Sequence, residues 1–592
     1  MMSRESRSRI SSWKFYKGRR ILLLVIWTVL FSYVVYPALQ TFLQSFLKEG
    51  GFSLAQYAHF FSLRSDADFQ DFLETWSWWE GSRVLSPGLQ AMYGSLLVSI
   101  LSVLLAGMLG IPIAFFFERN EFPGRSLFAA LMLLPLTLPP VVGVVSFDLL
   151  FSESGMIPRG IAAILGLDSP PFSFTGRGGI VAVHGYAFFP FFFLMISNAI
   201  RDTDSSLVEA SRGMGNGAWK TFWKVEIPML VPALFGAAVM VFMLSMASFS
   251  APVLFDVDGM YLSTHIYNLK SQNLMTEAYT ATAIFAAASL SLLVILRYLR
   301  GATKYQPVGK GVPRRRYQVQ TPWGRSVASI LGTLILFLVL LPHLSILLWS
   351  FTRDGSWTYQ ILPPEYTVEN YVRLLGQGAA GATVLQPVKN SLWMASFATA
   401  LNLIVGIGAA YVIKARGTVG RGFTDFMVMF AWALPGTVIA INLLVAFNQP
   451  SWLALGMSLS GSVFLLPIAY FVRNIPLVVR PLVAAWERTG EEVEEAARSL
   501  GSGRLRMLRT VSLPMIFPSL VAGGLLAFVT ALGEFVSSAV LYTPENKPIS
   551  MAIFSEFHAG SYGLCSAYGV LLILLIATVM FLGRKSLQGP GL

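Results

Sequence analysis

The chain has 592 residues, of which 55% are apolar and 12% are charged, and its mean hydropathy is +0.62. The charged share is about half that of an ordinary globular domain, so the composition excludes an ordinary soluble protein. The formal net charge of +12 does not indicate a nucleic-acid ligand, because the basic residues are grouped beside apolar runs, where they mark the cytoplasmic side of a membrane.

Apolar runs of about 20 residues recur along the whole chain, and a run of that length crosses a bilayer as a helix. The first part of the chain predicts six spans, at 21–41, 93–117, 127–151, 179–199, 233–255 and 278–298. The second part predicts six more, at 326–350, 391–413, 423–447, 453–472, 519–541 and 563–583. We therefore predict an all-α polytopic membrane protein with about 12 transmembrane helices.

Basic residues precede the first span, occur throughout the middle segment of the chain and follow the last span. Seven Lys and Arg residues lie within residues 1–20, and Arg584 and Lys585 follow the last span. Twelve spans place both termini on the same side, which the basic flanks identify as the cytoplasm. The predicted divisions are a basic cytoplasmic N-terminus at 1–20, a first half at 21–298, a cytoplasmic linker at 299–325 and a second half at 326–592.

The two halves of the chain repeat one another. Because six spans separate equivalent positions, both repeats run in the same direction through the membrane, and a pseudo-two-fold axis along the bilayer normal relates them. Such a pair can line one path along its own axis. The matched pairs are Ser95 and Ser391, Gly110 and Gly406, Pro139 and Pro435 at a spacing of 296, and Phe242 and Phe528, Phe249 and Phe535 at a spacing of 286.

One motif occurs twice, between the fourth and fifth spans of each half. Residues 209–232 have the sequence EASRGMGNGAWKTFWKVEIPMLVP, and residues 495–518 have EAARSLGSGRLRMLRTVSLPMIFP. A glycine allows a turn that a side chain would oppose, and a proline cannot continue a helix interior without losing a hydrogen bond. Each copy therefore predicts two short helices joined by a turn, with a bend into the next span. The motif residues are Glu209, Ala210, Gly215, Asn216, Gly217 and Pro228 in the first copy and Glu495, Ala496, Gly501, Ser502, Gly503 and Pro514 in the second.

This motif resembles the cytoplasmic EAA loop of permease subunits in ATP-binding-cassette importers, although Ser211 replaces the second alanine in the first copy. In that family the loop docks onto a separate ATPase. The resemblance implies two permease halves fused end to end in a bacterial cytoplasmic (inner) membrane. It also implies two partner copies of a cytoplasmic ABC ATPase and an extracytoplasmic substrate-binding protein, which would dock on external loops such as 152–178 and 448–452.

The substrate is indicated by a second, weaker resemblance. Residues 249–268, FSAPVLFDVDGMYLSTHIYN, are similar to the corresponding segment of ferric-iron permeases, so ferric iron is the implied substrate. Thiamine, 2-aminoethylphosphonate and polyamine permeases are close relatives of that group. Those three substrates therefore stay open as alternatives.

No energy source is visible in the chain itself. A phosphate-binding loop needs Gly-x4-Gly-Lys-Ser/Thr, and the nearest segment, Gly309-Lys310-Gly311, lacks the earlier Gly and the hydroxyl residue. We expect this chain to bind no cofactor and to have no enzyme activity, with ATP and Mg held by the partner ATPase subunits. His184, inside the fourth span, is expected to be a packed, hydrogen-bonded residue rather than a metal ligand.

A carboxylate inside a membrane span is costly and usually faces a cavity or a partner group. Glu534 lies within the eleventh predicted span, and Ser248 is its counterpart in the first half. We predict that Ser248, Phe249, Glu534 and Phe535 line a translocation path between spans three to five and nine to eleven. Glu534 would there present a negative group to a passing cation, and the alternative is that it bonds to a neighbouring helix end.

Two other classes of protein remain as alternatives. A secondary transporter or channel would need no ATPase but would need buried coupling carboxylates, for which Glu534 is the one fair candidate. A membrane enzyme would need a cluster of catalytic side chains, which the sequence does not display. Neither class explains why the motif occurs twice.

Overall fold

The structure is a computed structural model that describes residues 20–48, 51–63, 71, 74–79, 81–82, 84–257, 259–302, 317–318, 321–357, 360–376, 381–414, 420–454, 456–488 and 490–587. The predicted N-terminal segment, apart from Arg20, lies outside the described residues. Residues 303–316 of the predicted linker lie outside them as well, so the boundaries of the linker stay a prediction.

The first half is almost wholly helical within its described residues. Its helices are α1 (Arg20–Gln44), α2 (Ala55–Phe60), α3 (Pro87–Arg119), α4 (Arg125–Leu131), α5 (Pro140–Phe151), α6 (Met156–Leu165), α7 (Gly176–Asp202), α8 (Ser205–Gly213), α9 (Ala218–Thr221), α10 (Ile227–Met246), α11 (Ser250–Phe255), α12 (Leu262–Ser271) and α13 (Met275–Ala302).

The second half repeats this order without a counterpart of α6. Its helices are α14 (Pro322–Ser350), α15 (Glu369–Leu374), α16 (Gly381–Lys414), α17 (Arg421–Ala433), α18 (Gly436–Phe447), α19 (Leu465–Arg488), α20 (Gly490–Ser499), α21 (Arg504–Met507), α22 (Leu513–Leu532), α23 (Val536–Leu541), α24 (Ile549–His558) and α25 (Tyr562–Leu587).

Two short strand pairs accompany these helices in the described residues. The antiparallel hairpin of β1 (Leu47–Lys48) and β2 (Gly51–Phe52) places Leu47 opposite Phe52 and follows α1. The parallel pair of β3 (Asn120–Glu121) and β4 (Tyr317–Gln318) places Asn120 opposite Tyr317. The second pair therefore ties the end of α3 to the segment that leads into the second half.

Ten helical segments of the described chain are long and apolar enough to cross a membrane, or eleven if α17 and α18 count as one bent span. The sixth predicted span coincides with α13, a 28-residue helix that is not among these ten. The prediction of an all-helical polytopic fold in two halves is confirmed.

The tenth predicted span, at 453–472, is wrong. The transmembrane helix is α19, which begins at Leu465, whereas the preceding residues form a loop in which Gly456 and Gly461 adopt positive φ. Hydropathy favoured the loop because it is apolar and uncharged, and it missed the helix because Arg473 and Arg480 lie inside it.

Four other predicted spans are correct in place but broken. Spans 127–151 and 423–447 are interrupted just before α5 and α18, at the matched Pro139 and Pro435, and α17 and α18 meet at 111°. Proline lacks the N–H that a continuous helix needs, so both breaks follow from the sequence. Spans 233–255 and 519–541 are interrupted between α10 and α11 and between α22 and α23.

Each half is built around one close pair of helices, α3 with α7 and α16 with α19. A Cβ placed on Gly110 would lie 2.6 Å from the carbonyl oxygen of Phe189, and one on the matched Gly406 would lie 2.8 Å from a methyl group of Val478. Small residues let helix backbones approach in a membrane, where van der Waals packing drives association. The repeated glycines of the sequence therefore lie where these two helices pack against each other in each half.

We expect Gly110→Ala to destabilise the first half, because the added methyl group meets backbone that cannot rotate away. Overpacking of this kind costs about 1–3 kcal/mol. The measurement is the thermal unfolding midpoint of the detergent-purified protein. Gly143→Ala in α5 is the matched control, because nothing lies within 4 Å of its added Cβ, and equal midpoints for the two variants would contradict the assigned contact.

The first helix of each half packs on the other half. On α1, the Trp27 indole Nε1 donates to Thr424 Oγ1 of α17 at 3.0 Å, and the Tyr33 ring stacks on Phe447 of α18 with centroids 5.6 Å apart. On α14, the Val339 carbonyl accepts from Tyr186 Oη of α7 at 2.7 Å. The two halves thus exchange their first helices and cannot separate without losing these contacts.

Candidate functional site

Both motif copies form the predicted pair of short helices joined by a turn. We call residues 205–226 the first loop and residues 490–512 the second loop. Gly215 and Gly501 adopt φ of 80° and 79°, a left-handed conformation that residues with a side chain disfavour. The prediction of a glycine-dependent turn at these two positions is confirmed by the backbone.

The two turns are closed by the same backbone hydrogen bonds. In the first loop, Met214 N donates to Ala210 O at 3.0 Å and Asn216 N donates to Ser211 O at 3.2 Å. In the second loop, Leu500 N donates to Ala496 O at 3.0 Å, and Ser502 N donates to the carbonyl of residue 497 at 3.0 Å. This pattern satisfies the last carbonyls of a helix that ends in a left-handed residue. The motif therefore specifies one geometry twice.

The loops expose apolar side chains beside their turns. Met214 is 76% exposed and its counterpart Leu500 is 86% exposed, while Glu209 and Glu495 lie on exposed positions of α8 and α20. In the first loop, Trp219 and Trp223 are also exposed. Large apolar side chains held in water on a rigid turn are typical of a protein-binding surface.

The substitution of Ser211 for the second alanine has a structural role that the sequence did not reveal. Its Oγ lies 3.1 Å from Thr221 Oγ1 and accepts from Asn216 Nδ2 at 3.3 Å. These bonds join α8 to α9 across the turn. The second loop has Ala497 and Met507 at the two positions that Ser211 and Thr221 occupy, so this bond is specific to the first loop.

The prolines that follow the loops do not break the chain direction as predicted. A π-helical turn at Phe222–Glu226 leads directly into α10, and another at Leu508–Ser512 leads into α22. Pro228 and Pro514 come just after those π-helical turns, inside a helix that runs on without a break. The wider turn therefore replaces the predicted bend, and each loop continues as one rigid segment into the membrane span.

Ion pairs to the buried carboxylates of Glu118 and Glu226 anchor the first loop to the membrane helices. Glu118, at the end of α3, is buried and accepts from Arg201 Nη2 at the end of α7 at 2.5 Å. It also lies 3.4 Å from Arg125 Nη2 of α4. Arg119 pairs with Glu226, and its guanidinium lies 4.5 Å from the centroid of the Phe115 ring. The end of the first loop, where the chain continues into α10, is thereby fixed to α3.

The second half carries the opposite charges at two of these positions. Lys414 is the counterpart of Glu118, and Glu487 is the counterpart of Arg201. Glu487 lies 3.9 Å from Arg421, the counterpart of Arg125. A comparison of charged residues at the repeat spacing would have found this exchange, which the motif alone did not reveal.

The predicted path residues meet on the pseudo-two-fold axis. The rings of Phe249 and Phe535, which are equivalent residues of the two halves, lie 5.7 Å apart, and both are about 1% exposed. A Cβ on Gly533 would lie 3.3 Å from Pro139 of the other half. We call the Phe249–Phe535 pair the axis contact, and the two halves touch through it at that depth.

Ser248 and Glu534, the equivalent neighbours of the axis contact, have different environments. Ser248 Oγ lies 2.9 Å from His184 Nε2, and His184 Nδ1 lies 2.9 Å from Ser245 Oγ. His184 is therefore packed and hydrogen-bonded, as predicted. Among the described residues, no group of three or more His, Cys, Asp or Glu side chains could hold a metal ion.

Glu534 is 4% exposed and lies between the two contacts that cross the axis. Its Oε2 lies 3.0 Å from Arg473 Nε, and its Oε1 accepts from the backbone N of Ser537 at 3.0 Å, so it also caps the start of α23. The carboxylate is thus paired, which the sequence did not predict because α19 was placed too early to include Arg473.

Two parallel repeats, each with an exposed helix-turn-helix and a contribution to one axis contact, define a fused pair of permease halves. The sequence matches the family described as "Binding-protein-dependent transport system inner membrane component" over residues 106–304 and 402–587. The two matches repeat the two halves and cover more than half of the chain. The chain belongs to this family of ABC importer permeases.

Relatives of the chain carry related descriptions. It is 30% identical over 456 residues to the "Probable ABC transporter permease protein y4fN" of Sinorhizobium fredii, covering 76% of this chain and 79% of that one. It is 24% identical over 565 residues to the "Ferric transport system permease protein FbpB" of Actinobacillus pleuropneumoniae, covering 94% and 77%. It is 24% identical over 262 residues to the "Putative 2-aminoethylphosphonate transport system permease protein PhnV" of Salmonella paratyphi A, covering 44% and 94%.

Proposed function

We propose that this permease imports ferric iron across a bacterial inner membrane by alternating access, driven by ATP hydrolysis on separate subunits. The observation that supports iron is the match to the ferric permease of Actinobacillus pleuropneumoniae, which extends over 94% of this chain. The match to the phosphonate permease covers 44% of the chain, so 2-aminoethylphosphonate is the second candidate substrate.

Two ATPase copies would dock on the two loops. Met214 and Leu500 present equivalent exposed apolar side chains, and the hydrogen bonds that the two turns share hold them in equivalent positions. Two identical clefts on an ATPase dimer would match this arrangement. ATP and Mg would be bound by those subunits, and both termini of the permease would lie on the same cytoplasmic side as the loops.

The substrate would arrive from a binding protein on the opposite face. The segment between α5 and α7 contains α6 (Met156–Leu165), which has no counterpart in the second half and exposes Ile164 and Leu165. An exposed apolar helix on one half would give the binding protein a single orientation. Loop 448–452, at the end of α18, would complete this docking face.

Reconstitution tests the proposal. The permease is combined with its candidate ATPase and binding protein in proteoliposomes, and uptake of radioactive iron and of labelled 2-aminoethylphosphonate is measured with ATP, without ATP and with a non-hydrolysable analogue. We expect iron uptake that requires hydrolysis. Uptake of phosphonate alone would overturn the iron assignment, and uptake without ATP would overturn the ATP-driven mechanism.

A further inference from the structure

Two arginines lie on one partly exposed face of α19 in the second half, separated by apolar residues. Arg473, Leu477, Arg480 and Ala484 recur at helical spacing, and each is partly exposed among buried neighbours. Arg480 Nη1 lies 3.0 Å from Asp425 Oδ1 on α17. We call Arg473, Leu477, Arg480 and Asp425 the charged stripe.

The charged stripe lies deep within a membrane span. Arg473 precedes Arg488, the last residue of α19, by fifteen positions, which at 1.5 Å per residue is about 22 Å. The side chains of Arg473, Arg480 and Asp425 are nevertheless 29%, 39% and 37% exposed. Charged groups within a span face a water-filled cavity or a partner rather than hydrocarbon. Each of these three side chains has an ionic partner and is still partly exposed, so water on the exposed side of the stripe is the premise that the labelling experiment tests.

The first half offers no equivalent charges on its wall. The counterparts of Arg473 and Arg480 are Ala187 and Leu194, and the counterpart of Asp425 is Ala129. A substrate in the path would therefore meet one apolar wall and one charged wall. Any selection by charge depends on the second half.

At the end of the stripe that is nearest the axis contact, the Arg473 guanidinium is more exposed than the Glu534 carboxylate. Glu534 is 4% exposed and is occupied by Arg473 and by the Ser537 backbone. Arg473 keeps a buried Nη1 that has no hydrogen-bond partner within the described residues. That atom packs so closely on Gly436, at the start of α18, that a Cβ there would lie 1.9 Å from it. Nη1 is therefore enclosed, and the exposed 29% of the Arg473 side chain is the part that an anionic oxygen would approach.

We propose that Arg473 is a specificity-determining residue of the path, and that it favours a substrate carrying an oxyanion group such as a phosphonate, phosphate or carboxylate. This inference rests on the proposed import function and narrows its substrate class. The oxyanion would belong to the transported molecule itself or would travel as a ligand on a transported metal ion. Glu534 holds the guanidinium in position and does not contact the substrate.

Thiol labelling tests the charge of the wall without ATP, binding protein or substrate. The single native thiol is removed by Cys565→Ser, and Leu477→Cys is introduced one turn from Arg473. Its matched control is Phe191→Cys, the equivalent position of the apolar wall. Each cysteine variant is reacted in membrane fragments whose two faces are both accessible to reagent. The methanethiosulfonate reagents carry either a sulfonate or a trimethylammonium group, and the ratio of their two reaction rates is measured.

We expect the sulfonate reagent to be favoured at position 477 relative to position 191. An unpaired unit charge about 6 Å away in water changes the rate of each reagent about threefold in opposite directions, so about tenfold is the upper bound for the ratio. The Glu534 carboxylate, 3.0 Å from Arg473 Nε, lowers the ratio below that bound. Arg473→Gln should remove the preference, Arg473→Lys should keep it, and Glu534→Gln should increase it. Because Arg473→Gln leaves a buried carboxylate unpaired, the double variant Arg473→Gln/Glu534→Gln provides the same test with neither charge present.

Gly436→Ala tests the position of the guanidinium without changing any charge. Arg473 and Glu534 both stay, while the added Cβ displaces the Arg473 guanidinium. We expect it to reduce the sulfonate preference. If neither reagent modifies position 477, the stripe does not face water and the inference fails. If the ratios at 477 and 191 are equal and insensitive to Arg473, the wall does not select by charge and the inference also fails.

Protection of position 477 then identifies the form of the oxyanion. Slower labelling with inorganic phosphate supports a free oxyanion, and slower labelling with ferric citrate alone supports an anion carried on the metal. Slower labelling with putrescine but with neither anionic probe would overturn the proposal, because the carboxylate would then be the exposed group. A failure of ATP-driven uptake in the reconstituted complex leaves all these labelling results unchanged, so the two proposals can fail separately.

Discussion

Replacing Gly215 or Gly501 by valine is expected to uncouple ATP hydrolysis from transport while the membrane part stays folded. Both glycines hold φ near 80°, and a left-handed conformation costs a residue with a side chain about 1–2 kcal/mol. The turn would rearrange and move Met214 or Leu500 out of its position. Since 1.4 kcal/mol is tenfold in an equilibrium, we expect transport per ATP hydrolysed to fall about tenfold in each variant.

The matched control for this experiment is Gly217→Val in the same turn. Gly217 has φ of −65°, which any residue adopts, and nothing lies within 4 Å of a Cβ at Gly215, Gly217 or Gly501. The variants therefore differ in backbone strain rather than in crowding. Transport and ATPase activity are measured on the same proteoliposomes. Wild-type coupling in both Gly215→Val and Gly501→Val would reject the docking role of the loops.

Truncating the axis contact is expected to open a leak. Each Phe→Ala change in a buried site removes about 3–5 kcal/mol of packing, enough to change a closed-to-open ratio more than a hundredfold. Because Phe249 and Phe535 pack on each other across the two halves, the double variant Phe249→Ala/Phe535→Ala leaves no aromatic ring of this pair to close the axis. We expect release of a trapped small solute from proteoliposomes without ATP.

Phe117→Ala is the control for the leak experiment. Phe117 is fully buried, and its ring lies 5.9 Å from that of Phe193, but both residues belong to the first half. This variant should lose stability without opening the axis. Tight vesicles with the double variant would show that closure does not depend on Phe249 and Phe535.

The sequence specified the features that repeat. The spacing of 286 residues aligns Phe249 with Phe535 and aligns the two loops, because equivalent residues of parallel repeats lie at symmetric positions about the axis. The prolines at 139 and 435 were also aligned, yet the spans around them were drawn as straight. Hydropathy measures length and not direction, so the 111° bend between α17 and α18 could not be read from it.

The features that differ between the halves were the ones that the sequence left unresolved. The sequence identifies Glu534 as an intramembrane carboxylate, but its partner Arg473 lies 61 residues earlier. Arg473 is on α19, and the charges of α19 lower its hydropathy so that a hydropathy criterion misplaces the helix. Likewise, the pairing of Arg119 with Glu226 joins residues 107 positions apart. Such pairs depend on which helix faces are in contact, and no local pattern encodes that.

The exchanged first helices have a consequence for how the protein is made. Trp27 of α1 bonds to Thr424, 397 residues later in the chain, and synthesis at about 5–20 residues per second separates the two by roughly 20–80 s. Throughout that interval α1 lies in the bilayer without its neighbours from the second half, and α14 later completes a half that was synthesised before it. The two halves therefore cannot finish folding one after the other. Because both halves belong to a single polypeptide, α1 stays close to α17 until the two helices come into contact.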